Sequence, residues 1–329
     1  MNILVYSVAA DSGGALSVLM DFYKQFKEKK QNHYYFVVST PRIEECDNIT
    51  VLRFPEIKKG WGHRLLFEYI KAPQLVKKYK IDEVFSTTNT VIPRTDVKQV
   101  LYLHQSLPFI KYRFKFWKDK QLWIYQNIIS KFIIYAIHRA NQIIVQTNWM
   151  KKAVASAANT DENKIIVQIP IIELSKIPQY IKTLQNITFF YPAGSYTYKN
   201  HLVIVKACRE LQNEGINNYS VIFTLRGDEN SYSKELKNMA LQYDLPINFI
   251  GVLPREKVLS LYSSTILLFP SLVETLGLPL IEARTAHCPI IAADTIFGNE
   301  ILSDYNDVHF FKINDYIGLK NIMKLFIIN

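Results

Sequence analysis

The sequence has 329 residues, of which 49% are hydrophobic and 13% aromatic, and this length and composition indicate a globular protein with two cored domains or one large one. Apolar runs such as "FIIYAI" and "STILLFP" end at charges or at proline, well short of the roughly 20 residues that a spanning helix needs, which argues against a transmembrane segment. The formal net charge is +10.

The first segment, "MNILVYSVAA", carries no cationic leader and runs into a glycine turn. We therefore interpret it as a buried strand and not as a signal peptide, and we expect a cytoplasmic protein. The three cysteines are scattered, without the close spacing of a zinc site or a redox pair. A reducing compartment suits lone thiols, and we expect all three to be packing residues: Cys46, Cys208 and Cys288.

Short β-rich runs alternate with helical patterns along the chain, which is typical of a parallel sheet with helices on both faces. In the first half, "ALSVLMDFYKQFKEKK" repeats apolar residues at helical spacing, and "RLLFEYIKAPQLVKKYK" does so with an interruption at Pro73. The strands predicted there are "ILVYSV", "YYFVVS", "EVFST", "VKQVLYL" and "QIIVQT".

A second series of strands starts at "ITFFYPA" and continues with "YSVIFTL", "INFIG", "TILLFP" and "PIIAAD". Between the two series lies a stretch with two prolines and no clear hydrophobic period, so we place a linker at residues 168–186. We predict two doubly wound parallel-sheet domains, 1–170 and 171–329. Their charges differ, because residues 1–170 hold 25 Lys and Arg against 14 Asp and Glu, whereas residues 171–329 hold 14 against 15. The excess positive charge is therefore confined to the first domain.

The segment "ETLGLPLIE", from Glu274 to Glu282, places two carboxylates around an apolar helix start. We predict a helix from near Leu278 with Pro279 in its first turn, where a missing N–H costs nothing. Gly277 lets the backbone approach a ligand closely, and the first N–H groups of the helix form an anion site. Since carboxylates accept hydrogen bonds from sugar hydroxyls, the segment suits a nucleotide sugar. The alternative is that Glu274 caps the helix and Glu282 is a solvated surface acid.

The same segment resembles the donor-site motif of the retaining glycosyltransferases of family 4, the group 1 family, which have the GT-B fold. That motif is a glutamate, seven residues and a second glutamate, and here "GLP" stands intact inside it. The resemblance implies two Rossmann-like domains facing a cleft, the first on the acceptor side and the second binding the donor. Other stretches match in order: "SGG" from Ser12, "LHQSLPF", "ANQIIVQTNWMKKAV", "FFYPAGSYTYKNH" and "INFIGVLPREKVLSLYSST".

When the roles of the family's residues are assigned to the matching positions, the resemblance implies that Glu274 contacts the donor hexose as a catalytic residue. It implies that Glu282 contacts the ribose. Lys199 matches the family lysine on the diphosphate, where a cation neutralises the charge that grows on the leaving group. The alternative for Lys199 is a solvated lysine. The other donor-binding residues that the resemblance implies are Gly194, Ser195, Gly251, Thr275, Gly277 and Leu278.

Ser195 departs from the family pattern, because many relatives carry an arginine directly after the glycine that matches Gly194. Two explanations are open. Either another cation, Arg226 or Arg94, enters the cleft, or Lys199 and the backbone hold the diphosphate alone.

Three residues of the first domain are candidates for the cleft. Gly13 and Gly14 follow the first strand, where a glycine turn opens an edge toward phosphate, although the full G-x-G-x-x-G is missing. The resemblance places them near the donor phosphates and the acceptor, and a plain tight turn is the alternative. His104 ends a strand, matches the family's cleft histidine, and is expected to touch the donor sugar as a catalytic residue.

We therefore interpret the chain as a retaining hexosyltransferase that uses a nucleotide-diphosphate sugar and a glycan or lipid-linked acceptor in surface polysaccharide synthesis. Retention of configuration at the anomeric carbon is what the family resemblance implies. The sequence contains no D-x-D and no metal-spaced His, Cys and Asp cluster, so we expect metal-independent catalysis without a cofactor.

Two other functions are alternatives to this interpretation. A nucleotide-sugar epimerase on the same fold would release a free altered sugar without an acceptor, and the two glutamates argue against it. A nucleic-acid-binding protein is suggested by the pI of about 9.2, but no recognised nucleic-acid motif supports it, and we expect no nucleic-acid partner.

The segment Phe109–Tyr125 holds seven aromatic and five basic residues against one acid. Aromatic rings beside cations suit an anionic membrane interface, so we predict docking on the inner face of the cell membrane, beside the acceptor opening. The alternative is that Trp117, Trp123 and Tyr125 are core residues of an ordinary helix. The residues predicted to dock are Lys111, Arg113, Lys115 and Trp117.

Overall fold

The structure is a computed structural model that describes residues 1–11, 13–110, 112–117, 119–170, 177–182 and 187–328. The chain divides into two compact units, Met1–Ile172 and Glu173–Asn329. Most of the predicted linker lies outside the described residues, as do Ser12 and Lys111. None of the described helices is long and apolar enough to cross a membrane.

The first unit is built on a seven-stranded sheet in which each adjacent pair of strands is parallel. Its strands are β1 (Asn2–Tyr6), β2 (His33–Val38), β3 (Ile49–Arg53), β4 (Glu83–Ser86), β5 (Lys98–Tyr102), β6 (Gln142–Val145) and β7 (Ile165–Val167). Their order is β3-β2-β1-β4-β5-β6-β7, so the chain changes direction across the sheet between β1 and β4. The sequence did not predict β3 or β7.

Helices cover both faces of this sheet, since alternate residues of β1 point to opposite cores. Ile3 and Val5 join one core and Leu4 and Tyr6 join another, which is why the strand is apolar throughout. The helices are α1 (Gly13–Glu28), α2 (Trp61–Leu66), α3 (Ala72–Lys78), α4 (Lys120–Ile124), α5 (Ser130–Arg139) and α6 (Asn148–Ala158). The interruption predicted at Pro73 takes the form of a π-helical turn, Phe67–Lys71, between α2 and α3.

The second unit has a six-stranded parallel sheet of order β10-β9-β8-β11-β12-β13. Its strands are β8 (Ile187–Tyr191), β9 (Tyr219–Phe223), β10 (Ile247–Phe249), β11 (Ile266–Phe269), β12 (Ile290–Ala293) and β13 (Val308–Phe311). The direction of the winding reverses between β8 and β11, and such switch points open a crevice at the carboxyl ends of the strands. Its helices are α7 (His201–Asn213), α8 (Ser231–Gln242), α9 (Arg255–Leu261), α10 (Leu278–Thr285), α11 (Ile296–Ile301) and α12 (Tyr316–Ile328).

Two doubly wound α/β units with parallel sheets confirm the fold class that the alternating pattern predicted. Cys208 and Cys288 are fully buried free thiols, and Cys46 is partly buried against the core of the first unit. All three therefore serve as packing residues, as expected.

Candidate functional site

The candidate site of the second unit lies where the loops after β8 and β11 meet. A main-chain hydrogen bond joins the two loops, because the Leu272 N–H donates to the Tyr198 carbonyl at 2.8 Å. The loop after β8 ends in a short 3₁₀ turn, Thr197–Lys199, and the loop after β11 carries Glu274. The switch point of the sheet therefore brings these two loops together.

Lys199 and Glu274 form an ion pair across this junction. The side chains are 18% and 15% exposed, so the pair is largely but not completely withdrawn from water. Ser271 donates a hydrogen bond to the same Glu274 oxygen, Oε1, at 2.7 Å. Lys199 is thus not a freely solvated lysine, and Glu274 does not act as the cap of α10.

Two tyrosines surround this ion pair. The hydroxyl of Tyr191 donates to the Lys199 carbonyl at 2.8 Å, and the ring of Tyr198 lies 5.5 Å from the Lys199 Nζ. Burial raises the pKa of both tyrosines, and the Glu274 carboxylate raises it further. Both hydroxyls therefore stay protonated at physiological pH, beside the charges of the ion pair.

Helix α10 begins after Gly277, as the sequence predicted, with Pro279 in its first turn. Gly277 has φ +73°, a left-handed conformation that favours glycine, and it has no side chain with which to cap the helix. The helix N-terminus is therefore left for water or an anionic ligand. Thr275 and Leu278 flank Gly277 and are both partly exposed.

Glu282 lies inside α10 and is only 3% exposed. Its Oε2 accepts a hydrogen bond from the Tyr262 hydroxyl at 3.0 Å, and its Oε1 lies 2.8 Å from Nη1 of Arg255. Burial raises the pKa of Glu282, and the Arg255 charge and the Tyr262 hydroxyl partly oppose that rise. The alternative that Glu282 is a solvated surface acid is therefore wrong.

Ser195, which stands where many relatives carry an arginine, contacts the start of α8. Its hydroxyl donates to Asn230 Oδ1 at 2.9 Å, while Asn230 Nδ2 donates to the Ser195 carbonyl at 2.7 Å. Asn230 also caps α8. The neighbouring Gly194 is exposed and lies three residues after β8 ends at Tyr191.

The two cations considered as substitutes for that arginine have other partners. Arg226 is 68% exposed and pairs with Asp228 at 3.1 Å, and its Cγ would lie 3.0 Å from a Cβ at Gly251. Gly251 itself has φ +78°, and its N–H donates to the Leu225 carbonyl at 3.0 Å. Arg94 belongs to the first unit, where its guanidinium lies over the Tyr69 ring.

In the first unit, polar residues gather at the corresponding switch point between β1 and β4. Thr87, after β4, donates to the Ser7 hydroxyl at 2.7 Å, and the His104 N–H donates to Asn89 Oδ1 at 2.9 Å. Burial lowers the pKa of His104 to about 4, so its ring is neutral at physiological pH. The backbone of Gly13 and Gly14 forms the first turn of α1, directly after the loop that follows β1.

Sequence reasoning assigned no role to Ser271, Asn230, Arg255 or Tyr262. Arg255 and Tyr262 stand in the stretch "INFIGVLPREKVLSLYSST", which matches the family. The match marked this stretch as relevant to the site, but it did not indicate that either residue contacts Glu282. Among the described residues, no group of three or more His, Cys, Asp or Glu is arranged to hold a metal ion.

The sequence and the fold of this chain are similar to those of known proteins. Residues 175–329 match the model of the family "Glycosyl transferases group 1". Over 275 residues the chain is 23% identical to the O-antigen chain mannosyltransferase RfbU of Salmonella typhimurium strain LT2, a match that covers 82% of this chain and 71% of that protein.

Solved structures share the fold along the chain. HepE of Anabaena in complex with UDP and glucose has a TM-score of 0.70 at 16% identity, covering 99% of this chain and 89% of its own. WaaG, a glycosyltransferase involved in lipopolysaccharide biosynthesis, has a TM-score of 0.73 at 14% identity, and the match covers 100% of this chain and 91% of WaaG. The sucrose-phosphate synthase of Thermosynechococcus elongatus has a TM-score of 0.79 at 12% identity, covering 100% and 90%. The resemblance seen in the motifs is thereby confirmed over residues 175–329, which match the model of the group 1 glycosyl transferases.

Proposed function

We propose that this protein transfers a sugar from a nucleoside-diphosphate sugar to a hydroxyl of a glycan acceptor during the synthesis of a surface polysaccharide. The observation that carries the proposal is the Lys199–Glu274 ion pair at the β8/β11 switch point, beside the uncapped start of α10. A cation and a helix N-terminus suit a diphosphate, and a carboxylate suits the hydroxyls of the hexose next to it.

Donor binding rearranges the ion pair in this proposal. In the ligand-free chain Lys199 is neutralised by Glu274, and the diphosphate offers it a stronger anionic partner. As Lys199 turns to the diphosphate, Glu274 keeps its Ser271 hydrogen bond and becomes available to the hydroxyls of the donor hexose.

The transfer proceeds with retention in this proposal. The bond between the anomeric carbon and the diphosphate oxygen breaks as the acceptor oxygen bonds to the same face, and the departing diphosphate takes the acceptor's proton. Lys199 and the α10 N-terminus stabilise the charge that grows on the diphosphate, without a metal ion. Glu274 is less suited to act as a covalent nucleophile, because its Oε1 already pairs with Lys199 and accepts from Ser271.

His104 is proposed to contact the donor sugar, as the family resemblance implies. Its ring is neutral, and no hydrogen-bond partner reaches its Nδ1 among the described residues. A neutral imidazole with a nitrogen to spare can bond a sugar hydroxyl without adding charge.

A lipid-linked acceptor and docking on an anionic membrane are proposed from the first unit. Trp117 is 93% exposed and Tyr125 is 39% exposed, which is against the alternative that they are core residues; Trp123 is partly buried. Arg113 and Lys115 are also exposed, whereas Lys111 lies outside the described residues. Exposed rings beside exposed cations are suited to the headgroup region of an anionic leaflet.

A thermal-shift screen of UDP-, GDP-, ADP- and TDP-sugars tests the donor assignment, because a donor that binds the folded chain stabilises it more as its concentration rises above its Kd. A donor identified in this way is then incubated with the chain and a glycan acceptor, and the products are separated. A new glycosidic bond supports transfer, while release of an altered free sugar without an acceptor indicates the epimerase instead. Neither the epimerase nor a nucleic-acid-binding protein is favoured by the family match.

A further inference from the structure

Arg255 covers the buried carboxylate of Glu282 in the second unit. The arginine side chain is 50% exposed and the glutamate side chain 3% exposed, so the arginine lies between the carboxylate and water. Arg255 is the first residue of α9 and follows the turn at Gly251 after β10. Helix α10, which carries Glu282, starts after β11, so both helices begin at the carboxyl edge of the same sheet.

The two oxygens of Glu282 are not equally satisfied. Oε2 accepts the Tyr262 hydroxyl at 3.0 Å. Oε1 pairs with Arg255 by charge, but among the described residues it accepts no well-aligned hydrogen bond. A buried carboxylate oxygen that lacks a hydrogen bond is costly unless a ligand donates to it.

The position of Glu282 along α10 also suits a contact with the ribose of a nucleotide. It lies five residues after Gly277, which corresponds to about 7.5 Å along a helix axis. A diphosphate held at the helix start therefore presents the adjoining ribose along the same side. Two hydroxyls of that ribose are donors for Oε1.

We propose that Arg255 is a positioning residue of the donor site, which holds the Glu282 carboxylate by charge and swings aside to admit a ribose hydroxyl to Oε1. This inference rests on the proposed function, since it needs a nucleotide at the α10 N-terminus. The contact between Glu282 and the ribose is what the family resemblance implies, and the new element is the dependence of that contact on Arg255.

The surroundings of Glu282 explain why an arginine is needed. The packed strands β11 and β12 present only apolar residues, and α11 carries one acid, Glu300. Burial raises the pKa of Glu282, and Arg255 is the largest influence that lowers it. Without Arg255, the carboxyl takes up a proton at higher pH and becomes a weaker acceptor for a hydroxyl.

The test compares the binding of UDP, GDP and their 2′-deoxy counterparts by calorimetry, using the full chain and no acceptor. In the wild type we expect the ribonucleotide to bind at least about tenfold more tightly than its 2′-deoxy form. In Arg255→Gln the ratio of the two affinities falls toward 1 near neutral pH. The ratio recovers as the pH rises, because Glu282 ionises again. Arg255→Lys keeps most of the preference.

Arg284→Gln is the matched control. Arg284 lies on the same helix as Glu282 and pairs with Asp304 at 2.6 Å, so its loss removes an arginine–carboxylate pair away from the proposed contact. We expect this variant to keep the wild-type preference for ribose. The melting temperature of each variant shows whether it is folded.

Three outcomes overturn the inference. Equal binding of ribo- and deoxyribonucleotides by the wild type removes the ribose contact, and an unchanged preference in Arg255→Gln removes the role of Arg255. A loss in Arg255→Gln that is equal for both nucleotides assigns the arginine to phosphate or base instead. Failure of the wild type to bind any of the four nucleotides is a different result, because it refutes the donor site of the proposed function.

Discussion

Lys199 and Glu274 are 75 residues apart in sequence and form an ion pair in the second unit. Each follows one of two neighbouring strands, β8 and β11, and the pair exists because the winding of the sheet reverses between them. A mostly buried pair of this kind is costly to break by removing one partner, since the other charge is left without compensation. The site therefore depends on both residues.

Lys199→Ala is expected to lower donor affinity or turnover by at least about tenfold, which corresponds to ~1.4 kcal/mol. The physical reason is that the diphosphate loses its cation, while Glu274 is left unpaired beside it. Steady-state kinetics over a range of donor concentrations check this, because they give KM and kcat separately. Lys206→Ala is the control, because Lys206 is an exposed lysine of the same unit that lies over the Tyr316 ring. Normal kinetics in Lys199→Ala would remove this residue from the site.

Activity is expected to persist in excess EDTA. In the proposed mechanism, Lys199 and the α10 N-terminus supply the positive charge that a metal ion would otherwise supply. Turnover is measured with and without EDTA, and then after Mg²⁺ or Mn²⁺ is added back. Loss of activity that either ion restores contradicts the metal-independent mechanism.

Gly277→Ala is expected to weaken nucleotide binding. A Cβ at this position lies 3.3 Å from Leu280 Cδ1, and the left-handed φ of +73° costs an L-residue about 1–2 kcal/mol. Gly215→Ala is a matched control, since Gly215 has φ +75° and nothing within 4 Å of its added Cβ. Both variants should lose similar stability in thermal melts. If both also bind nucleotide equally well, Gly277 has no part in the site.

His201 is expected to make the second unit less stable in mild acid. Burial and the nearby Lys199 charge lower its pKa to about 3 in the folded chain, from an ordinary 6.5. Between these values the unfolded chain binds the extra proton, so the free energy of unfolding falls as the pH falls from about 6.5 toward 3, by at most ~1.4 kcal/mol per pH unit.

His201→Phe should flatten this dependence, because the ring packs against Tyr191 and Phe223 and has no hydrogen-bond partner among the described residues. Melting curves over this pH range are compared with those of His138→Gln, a variant of an exposed histidine. If the two variants follow the same pH profile, His201 is not the group responsible.

The chain is expected to sediment with anionic vesicles and not with neutral ones, and salt should weaken the binding. Exposed Arg113 and Lys115 lie beside exposed Trp117, and each cation near an anionic surface contributes about 1 kcal/mol. Changing both cations to Glu should release the protein. The same change at Lys234 and Lys312, exposed lysines of the second unit, should not. Equal binding to both kinds of vesicle rules out electrostatic docking.

The sequence predicted the helix after Gly277, because Pro279 and the flanking glycine are local signals. It did not predict β3, β7 or β13, which are short strands at the edges of their sheets. The surroundings of Glu282 were also missed, since Tyr262 and Arg255 come from 20 and 27 positions upstream. Local patterns reveal helix starts, whereas the partners of a buried carboxylate depend on how helices pack.

The hydrogen bond from Leu272 N–H to the Tyr198 carbonyl joins the two loops of the site through the main chain alone. A bond of this kind is available to almost any residue, so the loops can exchange side chains without losing their mutual placement. On the proposed function, Tyr196, Thr197 and Thr275 are the positions of these loops at which substitutions would test donor preference, since none of them supplies the two atoms of this link. The main-chain framework of the site is thereby independent of the side chains that determine its chemistry. Selection can change those side chains while the framework is conserved.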